Sequence, residues 1–197
     1  AVKMGLVPVH SWLPDAHPAA PSSVSGPLSG IITKMGVFGI VAVLLMRPMI
    51  VGMPGLFGLS WLGTGLVAMG AATLVYGEIM ALRQDDIKRM LAYSTISHMG
   101  FLVLGILAGT PAGLSASLFY AVSYVLMALA GFGILLLLSR AGVDCETLDD
   151  LKGLNRKNSW YAFLMLVVMF SMAGIPPMVG FNAKLAVLKS VVDIGLI

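Results

Sequence analysis

Long apolar runs separated by short polar loops make up most of the chain. Hydropathy and breaker residues place these runs at 24–47, 61–82, 88–108, 114–139 and 159–194. Each run exceeds the roughly 18 residues with which a helix can cross a bilayer. Transmembrane barrels instead show alternating segments of about ten residues. The pattern therefore predicts an all-α fold, a polytopic transmembrane helix bundle.

Prolines interrupt this pattern at both ends of the chain. The last run would be about 50 Å long as one straight helix, well beyond a hydrocarbon core of roughly 30 Å. Pro176 and Pro177 lie in its middle, between glycines, and remove backbone donors there. Near the start, we expect a helix to end at Pro8 and an irregular, proline-rich stretch to continue to residue 23. Broken helices of this kind line ion sites in transporters.

Composition and charge agree with a membrane protein. The chain is 58% hydrophobic and 11% charged, with a mean hydropathy of +0.96. Its net charge of +3 does not indicate a nucleic-acid partner, because the basic residues lie in short loops between apolar runs. The loops on one side contain Arg83, Lys88, Arg89, Arg140, Lys152, Arg156 and Lys157, whereas the opposite loops contain only Arg47. This asymmetry predicts that the first side is cytoplasmic.

Several classes of site are excluded by what the sequence lacks. The single cysteine, Cys145, rules out an internal disulfide and a cysteine-ligated iron–sulfur cluster carried by this chain alone. Neither a P-loop nor a strand-associated GxGxxG motif is present, so nothing indicates a bound nucleotide. We expect no cofactor and no metal in this chain. Because it begins at Ala1 with residues typical of a helix interior, we interpret it as a fragment of a longer protein without a signal peptide.

Four ionisable side chains lie at or near membrane depth. Lys34 is about 15 Å from either end of its apolar run, and His98 is near the middle of another. Lys184 follows the second proline break by one to two turns, and Lys3 lies in the opening helix. Charged groups at this depth are costly and mark ion paths or helix-packing ion pairs. Amines and imidazoles, unlike arginine, change protonation readily, so a row of them joined by water can relay protons.

Polar side chains at helical spacing accompany these groups. Ser94 shares a helix face with His98, while Ser117, Tyr120 and Tyr124 form a stripe on the next helix. These faces could hold ordered water, which makes Ser94, Tyr120 and Tyr124 candidates for the same polar axis. The two tyrosines are more often packing residues than relay members.

Structural interpretations of the same residues stay open. Lys34 could form an ion pair with a carboxylate elsewhere in the assembly, and His98 could simply hydrogen-bond to a neighbouring helix. Glu78 lies five residues before Arg83, so we expect it near the membrane interface and solvated. Gly26 and Gly30 match the GxxxG packing motif, which is a weak signal in a glycine-rich membrane chain.

Three strings carry a family resemblance: AVKMGLVPVHSWLPDAHPAAPSSVS (1–25), LRQDDIKRMLAYSTISHMG (82–100) and MAGIPPMVGFNAKL (172–185). In this order, and over essentially the whole chain, they resemble the antiporter-like subunits of respiratory complex I. Membrane-bound hydrogenases and multisubunit cation/proton antiporters contain relatives of these subunits. The strings LFYAVSYVLMALAGFGI and ETLDDLKGL are most similar to the N-type, or chain 2, subunit, whereas the opening is closer to the M-type, or chain 4.

The resemblance implies a fold of inverted five-helix repeats with one broken helix in each. As a single membrane domain over 1–197, the chain would hold the end of the first broken helix and its loop in 1–23. Four transmembrane helices would follow in 24–158, and the second broken helix in 159–197.

The resemblance also implies site residues. Lys3 matches the lysine of the first broken helix, whose partner glutamate would lie upstream of Ala1. Lys34 matches the central lysine, His98 a histidine of the polar axis, and Lys184 the terminal lysine. Tyr124 stands where the family often has a second histidine, so the resemblance leaves a proton-carrying role at this position open.

The implied function is proton translocation in an NADH:quinone oxidoreductase-like complex. This subunit would be non-redox, and NADH, FMN, iron–sulfur clusters and quinone would bind to other subunits. Its partners would be the other membrane-arm subunits, the lipid bilayer of a prokaryotic plasma membrane or an energy-transducing organelle, and H⁺ or Na⁺. The alternatives are a cation/proton antiporter subunit, a membrane-bound hydrogenase subunit and a non-conducting scaffold.

Overall fold

The computed structural model describes residues 1–45, 61–139 and 146–193. Within these ranges the regular structure is helical, apart from one isolated antiparallel bridge between Asp86 and Thr147. Short 3₁₀ turns occur at Val2–Met4, Ile32–Lys34 and Leu148–Leu151. The α-helices are α1 Trp12–Ala19, α2 Ser22–Gly30, α3 Met35–Leu45, α4 Trp61–Ala81, α5 Ile87–Leu107, α6 Pro111–Leu138, α7 Leu154–Lys157, α8 Ser159–Ala173 and α9 Val179–Val192.

Four segments of the described chain are long and apolar enough to cross a membrane. They are Ser22–Val41, Thr64–Ala81, Ile87–Leu107 and Pro111–Leu138, and they correspond to the first four predicted runs. The predicted end of the first run at Arg47, as well as Arg140 and Cys145, lies outside the described residues. By helix length and composition, the described residues therefore hold four candidate spans before the final broken segment.

The first span is not the continuous helix that its apolar run predicts. Helix α2 ends at Gly30, a 3₁₀ turn occupies Ile32–Lys34, and α3 begins at Met35. Three consecutive β-branched residues, 31–33, crowd the helical turn before them and weaken its helical preference. The interruption places Lys34 at a local change of helix type in the middle of the span.

The expected irregular stretch before this span contains a helix instead. Pro14 lies in the first turn of α1, where backbone N–H groups have no partner within the helix, so proline is tolerated there. Arg89 forms an ion pair with Asp15 at 2.6 Å, and the amine of Lys88 donates to the carbonyl of Ala20 at 3.3 Å. These contacts fix α1 and the residue that follows it to the start of α5.

The second predicted break is confirmed. Helix α8 ends at Ala173, Gly174 adopts φ 82°, and α9 begins only at Val179. A left-handed glycine at a helix end is a common terminator, and the two prolines that follow cannot continue the helix. In the opening stretch, Pro8 lies between the 3₁₀ turn at Val2–Met4 and the start of α1, so a break occurs there as well.

The two basic loops meet on one side of the bundle. The N–H of Ile87 donates to the carbonyl of Glu146 at 2.8 Å, and the N–H of Leu148 donates to the carbonyl of Asp85 at 3.0 Å. This pairing joins the loop after α4 to the connection after α6. Their predicted location on the same side is therefore confirmed.

Helix α5 lies at the centre of the bundle. It packs against α1, α4, α6 and α9, and most of its residues are buried. Helix α6 packs in turn against α2, α8 and α9. Side chains from α2, α5, α6 and α9 therefore meet in the interior, where the candidate site lies.

Candidate functional site

Lys34 is buried against backbone and ring atoms. Its side chain is 7% exposed, and its amine donates to the carbonyl of Ser29 at 2.6 Å and contacts the hydroxyl of Thr33 at 3.3 Å. The same nitrogen lies 3.8 Å from the centre of the Tyr124 ring, which is cation–π geometry. No carboxylate of the described residues lies within ion-pair distance of it. The described part of the chain therefore provides no ion pair for Lys34.

Three hydroxyl groups form a network beside this amine. Ser29 on α2 lies 2.6 Å from Thr95 on α5 and 3.2 Å from the hydroxyl of Tyr124 on α6. Tyr124 also donates to Thr95 at 2.9 Å. Hydroxyls both donate and accept, so such a network can reorient its hydrogen bonds and pass a proton along them.

His98 also contacts the Tyr124 ring. The two ring centres are 4.5 Å apart, and His98 is 3% exposed. Its Nδ1 forms a hydrogen bond of 2.5 Å with the hydroxyl of Tyr120, in which either group can be the donor, depending on the tautomer. The Tyr124 ring thus contacts both Lys34 and His98, and Tyr120 extends the polar series from His98.

Lys184 closes the series on α9. Its amine donates to the carbonyl of Ala173 at 3.0 Å and lies 5.3 Å from the centre of the Phe101 ring. Phe101 stacks on Tyr120, with ring centres 5.9 Å apart. Lys184 is partly buried and lies directly behind the second helix break. A series of side-chain contacts therefore connects Lys34 to Lys184.

Both lysines bind the carbonyl end of an interrupted helix. Ser29 lies in the last turn of α2, and Ala173 is the last residue of α8. Carbonyl groups at helix C-termini lack partners within the helix and carry partial negative charge. The two breaks thus provide each amine with an acceptor that is polar but not fully charged.

His17 on α1 is a further buried histidine, outside the four candidate spans. Its ring is fully buried and stacks on Phe132 with ring centres 5.4 Å apart. Burial, followed by the nearby positive charge of Lys34, lowers the pKa of His17 to about 4. His17 is therefore neutral at pH 7 and contributes no charge beside Lys34.

The structure brings together most of the predicted site residues. Lys34, His98, Lys184, Tyr120 and Tyr124 belong to the series, and Ser117 lies in the predicted stripe, where its hydroxyl donates to the carbonyl of Leu102 at 3.3 Å. Pro8, Pro176 and Pro177 lie in the two breaks.

Two predicted residues lie apart from this series. Lys3 is exposed, and none of the described contacts joins it to the other ionisable groups. Ser94 is only partly buried, and Thr95 occupies the position in the hydroxyl network instead. The sequence does indicate Thr95, because it lies three residues before His98. Residues at i and i+3 share a helix face as readily as residues at i and i+4 do. The proton-carrying roles of all these residues remain predictions.

Comparisons with known proteins agree on one family. Residues 1–197 match the family described as NADH:quinone oxidoreductase/Mrp antiporter, transmembrane. The chain is 57% identical over 196 residues to NADH-quinone oxidoreductase subunit N of Laribacter hongkongensis, an alignment covering 100% of this chain and 39% of the relative. The chain thus spans about two fifths of the length of the curated relatives it matches.

Solved structures show the same fold. A chain of the Mrp complex from Dietzia sp. DQ12-45-1b superimposes with a TM-score of 0.85 at 28% identity, covering 100% of this chain and 35% of that one. A chain of respiratory complex I from Thermus thermophilus gives a TM-score of 0.79 at 27% identity, covering 98% and 40%. The expected all-helical, antiporter-like membrane fold is confirmed.

Proposed function

Since the chain belongs to the NADH:quinone oxidoreductase/Mrp antiporter transmembrane family, we propose that it forms the proton-conducting part of a subunit in a complex I-like enzyme. Protons would move along the series Lys34, Tyr124, His98, Tyr120 and Lys184, coupled to electron transfer in other subunits. The N-type assignment is favoured, because the curated relative reported above is named subunit N.

The observation that carries this proposal is the buried series of contacts from Lys34 to Lys184. It joins two amines through an imidazole and two phenols, on helices that meet in the interior of the bundle. Some neighbouring groups of the series are too far apart for a direct hydrogen bond and require bridging water. Lys184 and Tyr120 are such a pair, because the Phe101 ring contacts both of them. The helix breaks beside both amines are the places where water can satisfy free backbone groups.

The hydrogen-bond partners of Lys34 and Lys184 favour amines that exchange protons, and not amines held in permanent ion pairs. An ammonium group paired with a buried carboxylate is strongly held in its charged form, because removal of the proton would leave an uncompensated negative charge. Lys34 and Lys184 instead bind carbonyl oxygens, a hydroxyl and ring faces. Losing a proton leaves no buried anion behind in these sites.

Redox cofactors would belong to other subunits of the complex. Within the described residues, no group of three or more His, Cys, Asp or Glu side chains is placed to hold a metal ion. This subunit would act through protonation changes alone, in contact with the other membrane-arm subunits and the lipid bilayer.

The test is Lys34→Ala in the full subunit within the assembled complex. NADH oxidation and proton uptake into inverted membrane vesicles are measured together, and assembly is checked on a native gel. Proton translocation should be lost while the subunit remains inserted, because the first amine of the series is gone. Lys189→Ala is the matched control, since Lys189 is an exposed lysine on the same helix as Lys184. Unchanged pumping by the Lys34 variant would contradict the proposal.

A second candidate function is cation/proton antiport without electron transfer. The TM-score of 0.85 to a chain of an Mrp complex favours it, because that similarity is as close as the similarity to complex I. The same residues would serve both functions. Sodium-dependent proton movement in vesicles without NADH would indicate the antiporter, whereas proton movement that requires NADH and ignores sodium would indicate the complex I-like enzyme.

A further inference from the structure

Glu78 is the only carboxylate within the four candidate membrane spans. Its Oε1 accepts a hydrogen bond of 2.8 Å from the hydroxyl of Ser97 on α5. Ser97 is fully buried and directly precedes His98 in the chain. The carboxylate is therefore held next to the helix that carries the imidazole of the proposed path.

The packing of α4 on α5 fixes the position of this carboxylate relative to α5. A Cβ atom on Gly77 would lie 2.6 Å from the backbone nitrogen of Ser97, and one on Gly100 would lie 2.9 Å from that of Leu74. The two antiparallel helices thus touch at backbone level in a defined register. Glu78 is exposed on α4, and its carboxylate lies opposite Ser97, in the middle of the 21-residue helix α5.

The charge of Glu78 also acts on the far end of the series. Among the described residues no carboxylate lies within ion-pair distance of Lys184, and the negative charge of Glu78 favours the ammonium form of that lysine. A carboxylate within a membrane-spanning segment is costly unless it serves an ion path or pairs with a cation.

We propose that Glu78 is a further proton-accepting residue of the path, which exchanges a proton with Lys184 through Ser97, the His98–Tyr120 pair and bridging water. This inference rests on the proposed function. In the forward step the ammonium of Lys184 loses H⁺, and the carboxylate of Glu78 becomes a carboxylic acid. Each hydroxyl and imidazole group between them gains one proton and passes one on. The reverse step restores both charges, and no covalent bond other than those to hydrogen changes.

Glu78→Gln in the assembled complex tests this role. The amide keeps the side-chain volume and can still accept from Ser97, but it cannot take up a proton. We expect protons translocated per NADH to fall by about tenfold or more, the scale typical of losing a proton-transfer group. Glu78→Asp retains a titratable acid and should keep most of the activity. Glu146→Gln, which removes an exposed loop carboxylate, is the matched control.

The possible outcomes separate this inference from the proposed function. Normal pumping by Glu78→Gln alongside failed pumping by Lys34→Ala overturns the role of Glu78 alone, whereas normal pumping by both overturns the proposed function itself. Equal loss in the Gln and Asp variants would mean that Glu78 has only a structural role. Should Glu78→Gln fail to assemble, Ser97→Ala decides, because it removes the connecting hydroxyl: reduced pumping supports the inference and normal pumping overturns it.

Discussion

At the residue scale, the candidate site contains a buried amine, Lys34, and a partly buried one, Lys184, and no carboxylate of the described residues is in contact with either. Lys34 and Lys184 each bind a carbonyl at the end of an interrupted helix, so the partial charge of the helix end replaces a full counter-ion. An aromatic ring covers each amine, Tyr124 for the first and Phe101 for the second. In the proposed function, such sites would stabilise a cation while leaving its proton exchangeable.

Tyr124 offers a test at this scale, because its ring and its hydroxyl have separate contacts. Tyr124→Phe keeps the ring over Lys34 but removes the hydrogen bonds to Ser29 and Thr95. We expect normal assembly and proton translocation lowered by about tenfold, measured as proton uptake per NADH in inverted vesicles.

Tyr124→His provides the complementary variant. Histidine places a titratable ring at this position, so this variant should pump better than Tyr124→Phe. If the Phe variant pumped like the wild type, the hydroxyl network would have no part in the path.

Some residues of the candidate site could be predicted from their side-chain chemistry alone. A lysine or histidine inside an apolar run is conspicuous, so Lys34, His98 and Lys184 could be found from sequence. The position of Glu78 opposite Ser97 could not, because it depends on how α4 packs against α5. A one-turn change in the register of α4 would move Glu78 by about 5 Å along α5.

At the scale of elements, the breaks in the helices position the chemistry. Apolar length and proline predicted the spans and the break before α9 correctly. The interruption at Ile32–Lys34 was not predicted, since hydropathy does not distinguish an α-helix from a 3₁₀ turn of equally apolar residues. Helix α1 was missed because its prolines were interpreted as helix breakers, although a proline in the first turn is tolerated.

Gly174→Ala tests the second break. At φ 82° an alanine is strained by roughly 1 kcal/mol or more, and its Cβ would lie 2.9 Å from the side chain of Lys184. We expect a lower melting temperature of the purified complex and weaker pumping, because the break and the amine are both displaced.

Gly133→Ala is the matched control for this substitution. A Cβ at Gly133 meets no atom within 4 Å, and the residue lies inside helix α6, where alanine is favoured over glycine. Equal stability and equal pumping of the two variants would show that the left-handed turn at Gly174 is dispensable.

At the scale of the whole molecule, the chain is an integral membrane protein. It spans about two fifths of the length of its curated relatives, and Lys3 and Glu78 are exposed on its surface. The division of the chain into the end of one inverted repeat and most of the next remains a prediction.

The orientation of the molecule can be tested with a single introduced thiol. Lys152 is exposed in the basic connection before α7, so Lys152→Cys on a Cys145→Ser background places a label there. A membrane-impermeant maleimide should react in inverted vesicles, in which the cytoplasmic side faces outward, and not in right-side-out vesicles. The reverse labelling pattern would contradict the assignment of the basic loops to the cytoplasm.

The central claim is that Lys34 and Lys184 are members of one proton path and do not merely hold helices together. The most direct measurement is the number of protons translocated per NADH by the assembled complex that carries Lys34→Ala and Lys184→Ala together. The proposed path predicts that this number falls to the background of the vesicles while the complex remains assembled. Proton translocation at the wild-type ratio in the double variant would contradict it and identify the chain as a non-conducting scaffold.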